Sequence, residues 1–166
     1  GLNGLQTMAL IPGSVGAAPI QNIGAYGSEL ADYCVDLEAY DLISRRRRRL
    51  SAEDCRFGYR DSRFKQPDGR RFVILSVRLC LPTHAQIPPP EARYADINQE
   101  LEAMGIARPT PALVAEAVCR VRRRKLPDPT LIGNVGSVFK NPIVPRPEAE
   151  ALRRQVPDLI MHEHAN

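Results

Sequence analysis

A glycine-rich segment, Ile11–Gly27, has the composition of a loop that could hold a flat ligand. Its sequence, IPGSVGAAPIQNIGAYG, contains four glycines with small residues between them and no charged side chain. Glycine lets another group approach the backbone closely, and a polar ligand can pair with the N–H and C=O groups of such a loop. Composition alone favours the alternative, a buried glycine-rich turn packed on neighbouring strands. The segment lacks the Gly-Lys-Ser/Thr ending of a P-loop and does not match the GxGxxG dinucleotide fingerprint.

The residue types that usually bind metal ions are too scattered to form a metal site. The cysteines and histidines are Cys34, Cys55, Cys80, Cys119, His84, His162 and His164. They contain no CxxC pair and no zinc-ligand spacing. We therefore predict no metal site, interpret the cysteines as small core residues, and expect His162 and His164 to lie in a disordered tail.

Alternating and apolar runs predict three strands. We expect a strand over Tyr33–Leu42, a turn at Ile43-Ser44 and a return strand over Arg45–Leu50 whose arginines face water. Phe72–Leu81 predicts a third strand, preceded by a hairpin turn at Asp68-Gly69. Its uniformly apolar set predicts the buried face: Val73, Leu75, Val77 and Leu79. A stiff extended linker is expected over Pro82–Pro90.

Capping signals and helical periodicity predict the helices. Gly1–Leu10 is expected to be a loop with a short helical turn, and Ser51 with Asp54 resembles a capping box. Asp96 is expected to cap a short helix bearing Ile97, Leu101 and Met104 and ending at Gly105. Thr110-Pro111 begins the clearest helix, with apolar residues from Leu113 to Val121 and four cations at its end. A last helix is expected over Pro147–Gln155. Strands and helices that are segregated in this way argue for the α+β class.

Charge and composition exclude several classes of function. The chain has 166 residues and a formal net charge of +4, with five positive charges together in Arg45–Arg49. A basic RNA-binding module rests on that run alone and is disfavoured, because aromatic residues are few and tryptophan is absent. The sequence contains no signal peptide and no apolar run of spanning length. We expect a reduced, cytoplasmic protein with neither a nucleic-acid nor a membrane partner.

Four motifs in a fixed order resemble one known family. They are the segment Ile11–Gly27, CRFGYRDSRFK at Cys55–Lys65, RKLPDP at Arg124–Pro129 and GNVGSVFKNP at Gly133–Pro142. Together they resemble UDP-N-acetylenolpyruvoylglucosamine reductase (MurB), and the resemblance covers most of Gly1–Pro147. It implies part of a vanillyl-alcohol-oxidase-like (PCMH-type) FAD-binding domain followed by the start of the MurB C-terminal substrate domain. Residues 1–126 would be the second lobe of the FAD-binding domain, without its N-terminal lobe, and residues 127–166 a truncated substrate-binding domain.

The resemblance also implies a reaction. FAD and NADPH would be the cofactors in the reduction of UDP-N-acetylenolpyruvoylglucosamine to UDP-N-acetylmuramate, a step of peptidoglycan precursor synthesis. The complete enzyme would be an oxidoreductase and a monomer. The alternative is a truncated, catalytically inactive fragment that binds flavin or nucleotide, and we expect the isolated chain to have no reductase activity.

The resemblance assigns roles to individual residues. Arg60 and Ser137 would be catalytic, Arg60 near the flavin and the substrate carboxylate and Ser137 as the proton donor. The alternatives are a surface arginine paired with Asp61 and an ordinary turn serine. The cofactor-binding residues would be Gly13, Ala17, Ile20, Ile23, Gly24 and Arg122, and the substrate-binding residues would be Tyr94, Lys125 and Asn141. Tyr94 could equally be a packing tyrosine, and Arg122 and Lys125 could merely solvate the end of a helix.

Overall fold

The chain forms two compact units, Gly1–Val135 and Gly136–Asn166. The computed structural model describes residues 1–83, 94–128, 130–133 and 139–161. Antiparallel strands come first and the three longer helices follow them along the chain, which confirms the predicted α+β class. The predicted linker lies outside the described residues from position 84 onward, and so do all three histidines. The proposed domain boundary after residue 126 stays a prediction.

A three-stranded antiparallel sheet forms the centre of the first unit. Its strands, counted in chain order after a short hairpin made by β1 (Gly24–Ala25) and β2 (Ser28–Glu29), are β3 (Cys34–Asp41), β4 (Arg46–Ser51) and β5 (Phe72–Leu79). Their order in the sheet is β4-β3-β5. One face carries the apolar core, formed by Leu37, Ala39, Leu50, Cys55 and Phe64. The predicted hairpin of strands β3 and β4 is confirmed, and the arginines of β4 are exposed on this edge strand.

A β-bulge overturns part of the predicted burial of β5. Glu38 of β3 pairs with Ser76, but the next residue, Ala39, pairs with Ile74, so Leu75 is an extra residue in the ladder. An extra residue reverses which side chains face the core. Phe72 and Ile74 therefore pack on the core, whereas Val73 and Leu75 are 48% and 47% exposed. Beyond the bulge the predicted alternation is right, because Val77 packs on the core.

A second core lies between two helices. These are α2 (Ala95–Ala103) and α3 (Pro111–Lys125), which follow the short helix α1 (Ala52–Cys55). The buried members of this core are Ile97, Leu101, Val114, Ala117 and Val118. The predicted α3 is confirmed, with Pro111 in its first turn and the Thr110 hydroxyl accepting from the Leu113 N–H. Asp96 does not cap α2, because the helix begins one residue before it; its carboxylate binds Lys125 instead.

One local signal of the sequence has the predicted geometry, and another has it only in part. Ser51 and Asp54 form the capping box of α1, each side chain bonded to the other residue's N–H. Asp68-Gly69 lies in a turn, but no hairpin follows from it, since β4 and β5 do not pair. A Cβ on Gly69 would lie 1.9 Å from the Arg63 carbonyl oxygen, so this position needs glycine because of close backbone approach.

The second unit contains one described helix, α4 (Arg146–Gln155), where a helix over Pro147–Gln155 was predicted. None of its residues is buried. Among the described residues, no helix is long and apolar enough to cross a membrane.

Candidate functional site

The glycine-rich segment folds as a one-sided platform. Residues Val15–Gln21 form a 3-10 helix whose inner side buries Ala18 and Pro19 and whose outer side exposes Ala17 and Ile20. The helix ends at Asn22 in the left-handed conformation, φ 45°. The β1–β2 hairpin follows directly and carries Gly24. The segment is therefore neither a buried turn nor a closed pocket, but a surface with small and apolar groups on its open side.

The predicted cofactor residues of this segment are in different surroundings. Ala17 and Ile20 lie on the open side, and Ile20 is 42% exposed. Gly13 is exposed and has φ 117°, a conformation that favours glycine. Ile23 and Gly24 are half-buried where the 3-10 helix meets the hairpin. All five predicted cofactor residues therefore lie in one continuous segment, three of them exposed and two half-buried.

Arg60 lies against the platform, where the resemblance expects a catalytic arginine. Its Nη2 donates to the Gly24 carbonyl oxygen at 2.6 Å, and its Nη1 lies 3.5 Å from Glu29 Oε1. Nη1 is buried and makes no hydrogen bond with any described residue. The arginine therefore pairs with Glu29 rather than with Asp61, whose carboxylate accepts from the Ser62 N–H and from Gln66. The guanidinium also lies over the Tyr59 ring, 5.3 Å from its centroid.

A tight turn presents Arg60. Gly58 and Asp61 exchange two backbone hydrogen bonds of 3.0 and 3.1 Å, which leaves Tyr59 and Arg60 at the tip. Arg60 has φ 51°, which is uncommon for a residue with a side chain. Its carbonyl oxygen accepts from Lys65 Nζ at 2.9 Å. The turn therefore fixes the backbone of Arg60 before any ligand is present.

Two side chains that the sequence did not single out join the turn to the platform. Ser62 Oγ donates to the Ile20 carbonyl oxygen at 2.6 Å. Asn22 is 1% exposed and its amide donates to Glu29 Oε2 at 2.7 Å and to the Gly58 carbonyl oxygen at 3.0 Å. The sequence signal for Asn22 was a polar side chain within an uncharged, glycine-rich segment. That signal does not reveal its partners, since Gly58 lies 36 positions away in the chain.

The remaining predicted residues make no described contact with Arg60. Tyr94 contacts the glycine-rich segment, because its ring packs edge-on against Tyr26, with ring centroids 5.1 Å apart. Lys125 binds Asp96, and Arg122 is half-buried at the end of α3 with a buried Nε that makes no hydrogen bond to a described residue. Asn141 is exposed in the second unit. Ser137 lies outside the described residues.

Neither of two cavities of the first unit is lined by a predicted site residue. The larger, about 540 Å³, lies between the N-terminal segment and the start of α3, with Leu2, Leu81 and Ala112 among its lining residues. The smaller, about 240 Å³, is lined by Glu53, Asp54, Arg56, Arg63 and Asp68. In the smaller cavity Asp68 accepts from Arg56 and Arg63, and the pKa of its carboxyl is lowered: burial alone would raise it, but the two guanidinium groups outweigh burial. The charged groups of this open hollow therefore pair with one another.

No metal-binding group of histidines, cysteines and carboxylates occurs in residues 1–83, 94–128, 130–133 and 139–161. The four cysteines are free, with Cys34 and Cys55 buried, Cys119 half-buried and Cys80 exposed. Burial, together with the neighbouring Cys34 and Asp54, raises the pKa of the Cys55 thiol to about 12. A thiol with such a pKa is protonated at neutral pH, so Cys55 serves the core and not the chemistry of a nucleophile.

Known proteins resemble this chain in sequence and in structure. No family model matches it. The chain is 48% identical over its whole length to the UDP-N-acetylenolpyruvoylglucosamine reductase of Paraburkholderia phymatum and 49% identical to that of Pseudomonas aeruginosa, and it covers 48% of each. The enzyme of the same name from Ralstonia nicotianae is 51% identical over 96% of this chain and 46% of the relative. The chain thus spans about half the length of the curated relatives it matches.

The structural comparison agrees on the fold. The crystal structure of UDP-N-acetylenolpyruvylglucosamine reductase (MurB) from Thermus caldophilus aligns with 86% of this chain and 41% of its own length, with a TM-score of 0.54 and 24% identity. At that identity the likeness concerns the fold alone. With sequence identities near one half over the whole chain, the motifs and the fold lead to one assignment: the chain belongs to the UDP-N-acetylenolpyruvoylglucosamine reductase (MurB) family.

Proposed function

We propose that this chain forms the flavin-facing part of an FAD- and NADPH-dependent reductase. The enzyme would convert UDP-N-acetylenolpyruvoylglucosamine to UDP-N-acetylmuramate in peptidoglycan precursor synthesis. Support comes from the shared family and, in the structure, from one observation: Arg60 is held against Gly24 of the glycine-rich platform. This contact brings a permanent positive charge to the segment that the family resemblance assigns to the flavin.

The platform suits a flat cofactor. Ala17 and Ile20 offer small and apolar groups on the open side of the 3-10 helix, and the absence of a side chain at Gly24 lets the Arg60 guanidinium approach its backbone closely. A Cβ at Gly24 would lie 2.6 Å from the Ser28 carbonyl oxygen and 3.0 Å from Arg60 Nη1. We propose that Gly13, Ala17, Ile20, Ile23 and Gly24 hold FAD in a PCMH-type domain, and that Arg122 supports it from the end of α3. When bound, FAD would carry a hydride from NADPH to the vinyl carbon of the substrate.

Arg60 would stabilise the charge that develops during the reduction. Addition of a hydride to the vinyl carbon moves negative charge toward the substrate carboxylate, and a guanidinium meets a carboxylate with a planar fork of donors. The buried Nη1, which makes no hydrogen bond to a described residue, marks a donor that a ligand could satisfy. Because the turn already fixes the backbone of Arg60, little reorganisation is needed when the substrate binds.

The proton of the reduction would come from Ser137, and three further residues would hold the substrate. A serine hydroxyl is a weak acid, but it can protonate a strongly basic carbon next to stabilising cations. Lys125, Tyr94 and Asn141 are proposed contacts of the sugar nucleotide. Lys125 is bound to Asp96, so this ion pair would have to open or share the ammonium group with a diphosphate.

A cytoplasmic location and a monomeric complete enzyme complete the proposal. The four free cysteines fit a reducing compartment. The alternative function, a flavin- or nucleotide-binding module without catalysis, is favoured by the open side of the platform, which supplies only one wall of a site. These two functions differ in turnover and not in flavin binding.

A graft separates the two functions. Residues 1–166 replace the matching half of the Pseudomonas aeruginosa reductase, and NADPH oxidation is followed with and without the enolpyruvyl substrate. Substrate-dependent oxidation with formation of UDP-N-acetylmuramate is expected. A graft that is folded and binds FAD but does not turn over would favour the binding module. Ser137→Ala in the active graft should slow substrate reduction while NADPH still reduces the flavin at a normal rate.

A further inference from the structure

We infer that Asn22 is a positioning residue for the Arg60 guanidinium, acting through Glu29 and through the turn between Gly58 and Asp61. The inference rests on the proposed catalytic role of Arg60 and extends it to a residue outside the reacting groups. Its basis is a set of contacts that starts at one buried amide: hydrogen bonds from Asn22 to Glu29 and to Gly58, and a 3.5 Å ion pair from Glu29 to Arg60.

The first step is the fixed orientation of the Asn22 amide. Both of its N–H groups are used, one by Glu29 Oε2 at 2.7 Å and one by the Gly58 carbonyl oxygen at 3.0 Å. Its oxygen accepts from the Ala31 N–H at 2.9 Å. A flipped amide would direct N–H groups at the Ala31 N–H, so only one orientation satisfies the site. With the side chain 1% exposed, water cannot replace these partners.

The second step runs through the backbone turn that presents Arg60. The Gly58 carbonyl oxygen accepts from both Asn22 and the Asp61 N–H, so the base of the turn is anchored to the platform. Arg60 at its tip has a left-handed φ of 51°, which persists only where the surroundings enforce it. Loss of the bond from Asn22 would free the base of the turn and allow the tip to relax.

The third step runs through a carboxylate. Asn22 holds Glu29 by Oε2, which leaves Oε1 facing Arg60 Nη1 at 3.5 Å. Both the Arg60 and the Glu29 side chain are about one-third exposed, so their attraction alone does not fix a geometry. The buried amide adds a constraint on the carboxylate, because it holds Oε2 in place.

The variant Asn22→Asp tests this arrangement with little change of shape. Aspartate tolerates the left-handed backbone and keeps an acceptor for the Ala31 N–H, but it cannot donate to Gly58 and it repels Glu29. In the 166-residue chain, nitrogen-15 NMR measures guanidinium rotation and proton exchange at Arg60. We expect both rates to rise about 10-fold. Arg78, which donates to Asp36 in the sheet, is the internal control and should not change.

An unchanged Arg60 signal in Asn22→Asp, with Arg78 showing that the sheet is intact, would overturn the inference. If that variant does not fold, Asn22→Gly decides instead, since glycine tolerates the left-handed backbone and removes both donors without adding a charge. Faster Arg60 rotation in Asn22→Gly supports the inference, and an unaltered rate contradicts it.

A double-mutant cycle in the graft distinguishes positioning from a purely structural role. Asn22→Asp should slow substrate reduction about 10-fold while Arg60 is present, and should have no further effect in Arg60→Ala. Effects that multiply would show that Asn22 acts independently of Arg60. If Arg60→Ala alone leaves the rate unchanged, the proposed function of Arg60 is wrong, whereas the NMR result still decides whether Asn22 positions it.

Discussion

Arg60 Nη2 donates a 2.6 Å hydrogen bond to the carbonyl oxygen of Gly24, a residue 36 positions earlier in the chain. The bond joins two separate motifs, the glycine-rich segment and the GYRDS turn. It occupies one edge of the guanidinium and leaves the buried Nη1 near Glu29 without a hydrogen bond among the described residues. Arg60 is thus held by the platform while part of its hydrogen-bonding capacity remains for a ligand.

Arg60→Lys should reduce turnover far more than FAD binding. Lysine keeps the positive charge, but an ammonium group cannot bond Gly24 and meet a carboxylate with a planar fork at once. We expect substrate reduction by the graft to fall about 10²-fold, the scale of a lost donor at a developing charge. Single-turnover reoxidation of the reduced flavin measures this rate. Arg46→Lys, on the exposed edge strand, is the matched control, and a normal rate in Arg60→Lys would rule out the catalytic role.

Gly69→Ala should destabilise the first unit by about 1–3 kcal/mol, the range for a substitution that forces backbone to move. A Cβ at this position would meet the Arg63 carbonyl oxygen at 1.9 Å, and the rigid backbone cannot yield cheaply. Urea unfolding of the 166-residue chain measures the loss. Gly133→Ala is the control, since its Cβ would have open space within 4 Å. Equal stability of the two variants would contradict the close approach.

Local sequence signals predicted the strands of the three-stranded sheet and the longer helices, but neither the β1–β2 hairpin, nor the 3-10 helix over Val15–Gln21, nor the contacts between elements. The capping box of Ser51 and Asp54 and the Thr110-Pro111 start depend on neighbours in sequence, and both were predicted correctly. The exposed side of β5 could not be predicted, because the bulge at Leu75 arises from pairing with β3. Motif resemblance predicted a role for Arg60, but no periodicity indicates that Glu29 faces it. Arg60 and Gly24 are 36 positions apart in sequence, so the residues that contact Arg60 can be identified only once the fold is known.

Asp41 should make the β3–β4 turn sensitive to acid. Burial alone would raise the pKa of Asp41, but hydrogen bonds from Ser44 and Ile43 and the nearby Arg71 outweigh burial and lower it. A lowered folded-state pKa means that the stabilisation is complete above the unfolded-state value, about 4, and is lost as the pH falls through the lower folded-state value. Urea midpoints at pH 7, 5 and 3 should therefore fall more steeply for the parent chain than for Asp41→Asn. An identical slope in Asp41→Asn would refute the prediction.

Thiol reagents should modify the cysteines in the order of their exposure and acidity. Cys80 is exposed, whereas burial raises the pKa of Cys34 and, to about 12, that of Cys55. At pH 8 only about one Cys55 in 10⁴ would be a thiolate, even without the steric barrier. Mass spectrometry after alkylation should find Cys80 modified first and Cys55 only after unfolding. In Cys80→Ser the fastest phase of alkylation should disappear. Early alkylation of Cys55 would contradict the prediction, because it would show that the core around Cys55 opens readily.

The 166-residue chain by itself should bind FAD weakly and have no reductase activity. A ligand pocket usually encloses most of its ligand, but this platform offers one wall, on which Val15 and Ile20 are 67% and 42% exposed. Neither the 540 Å³ cavity nor the 240 Å³ cavity lies at this segment.

The test is a fluorescence titration of FAD into the folded chain, followed by NADPH oxidation with the enolpyruvyl substrate present. We expect a Kd weaker than about 1 μM, which corresponds to about −8 kcal/mol, and no substrate-dependent oxidation. The graft serves as the positive control, because it supplies the other walls from the Pseudomonas aeruginosa enzyme. Tight binding with turnover by the chain alone would show that one wall and Arg60 suffice. Water at the open side argues against that result, since it screens the Arg60 charge from the substrate carboxylate.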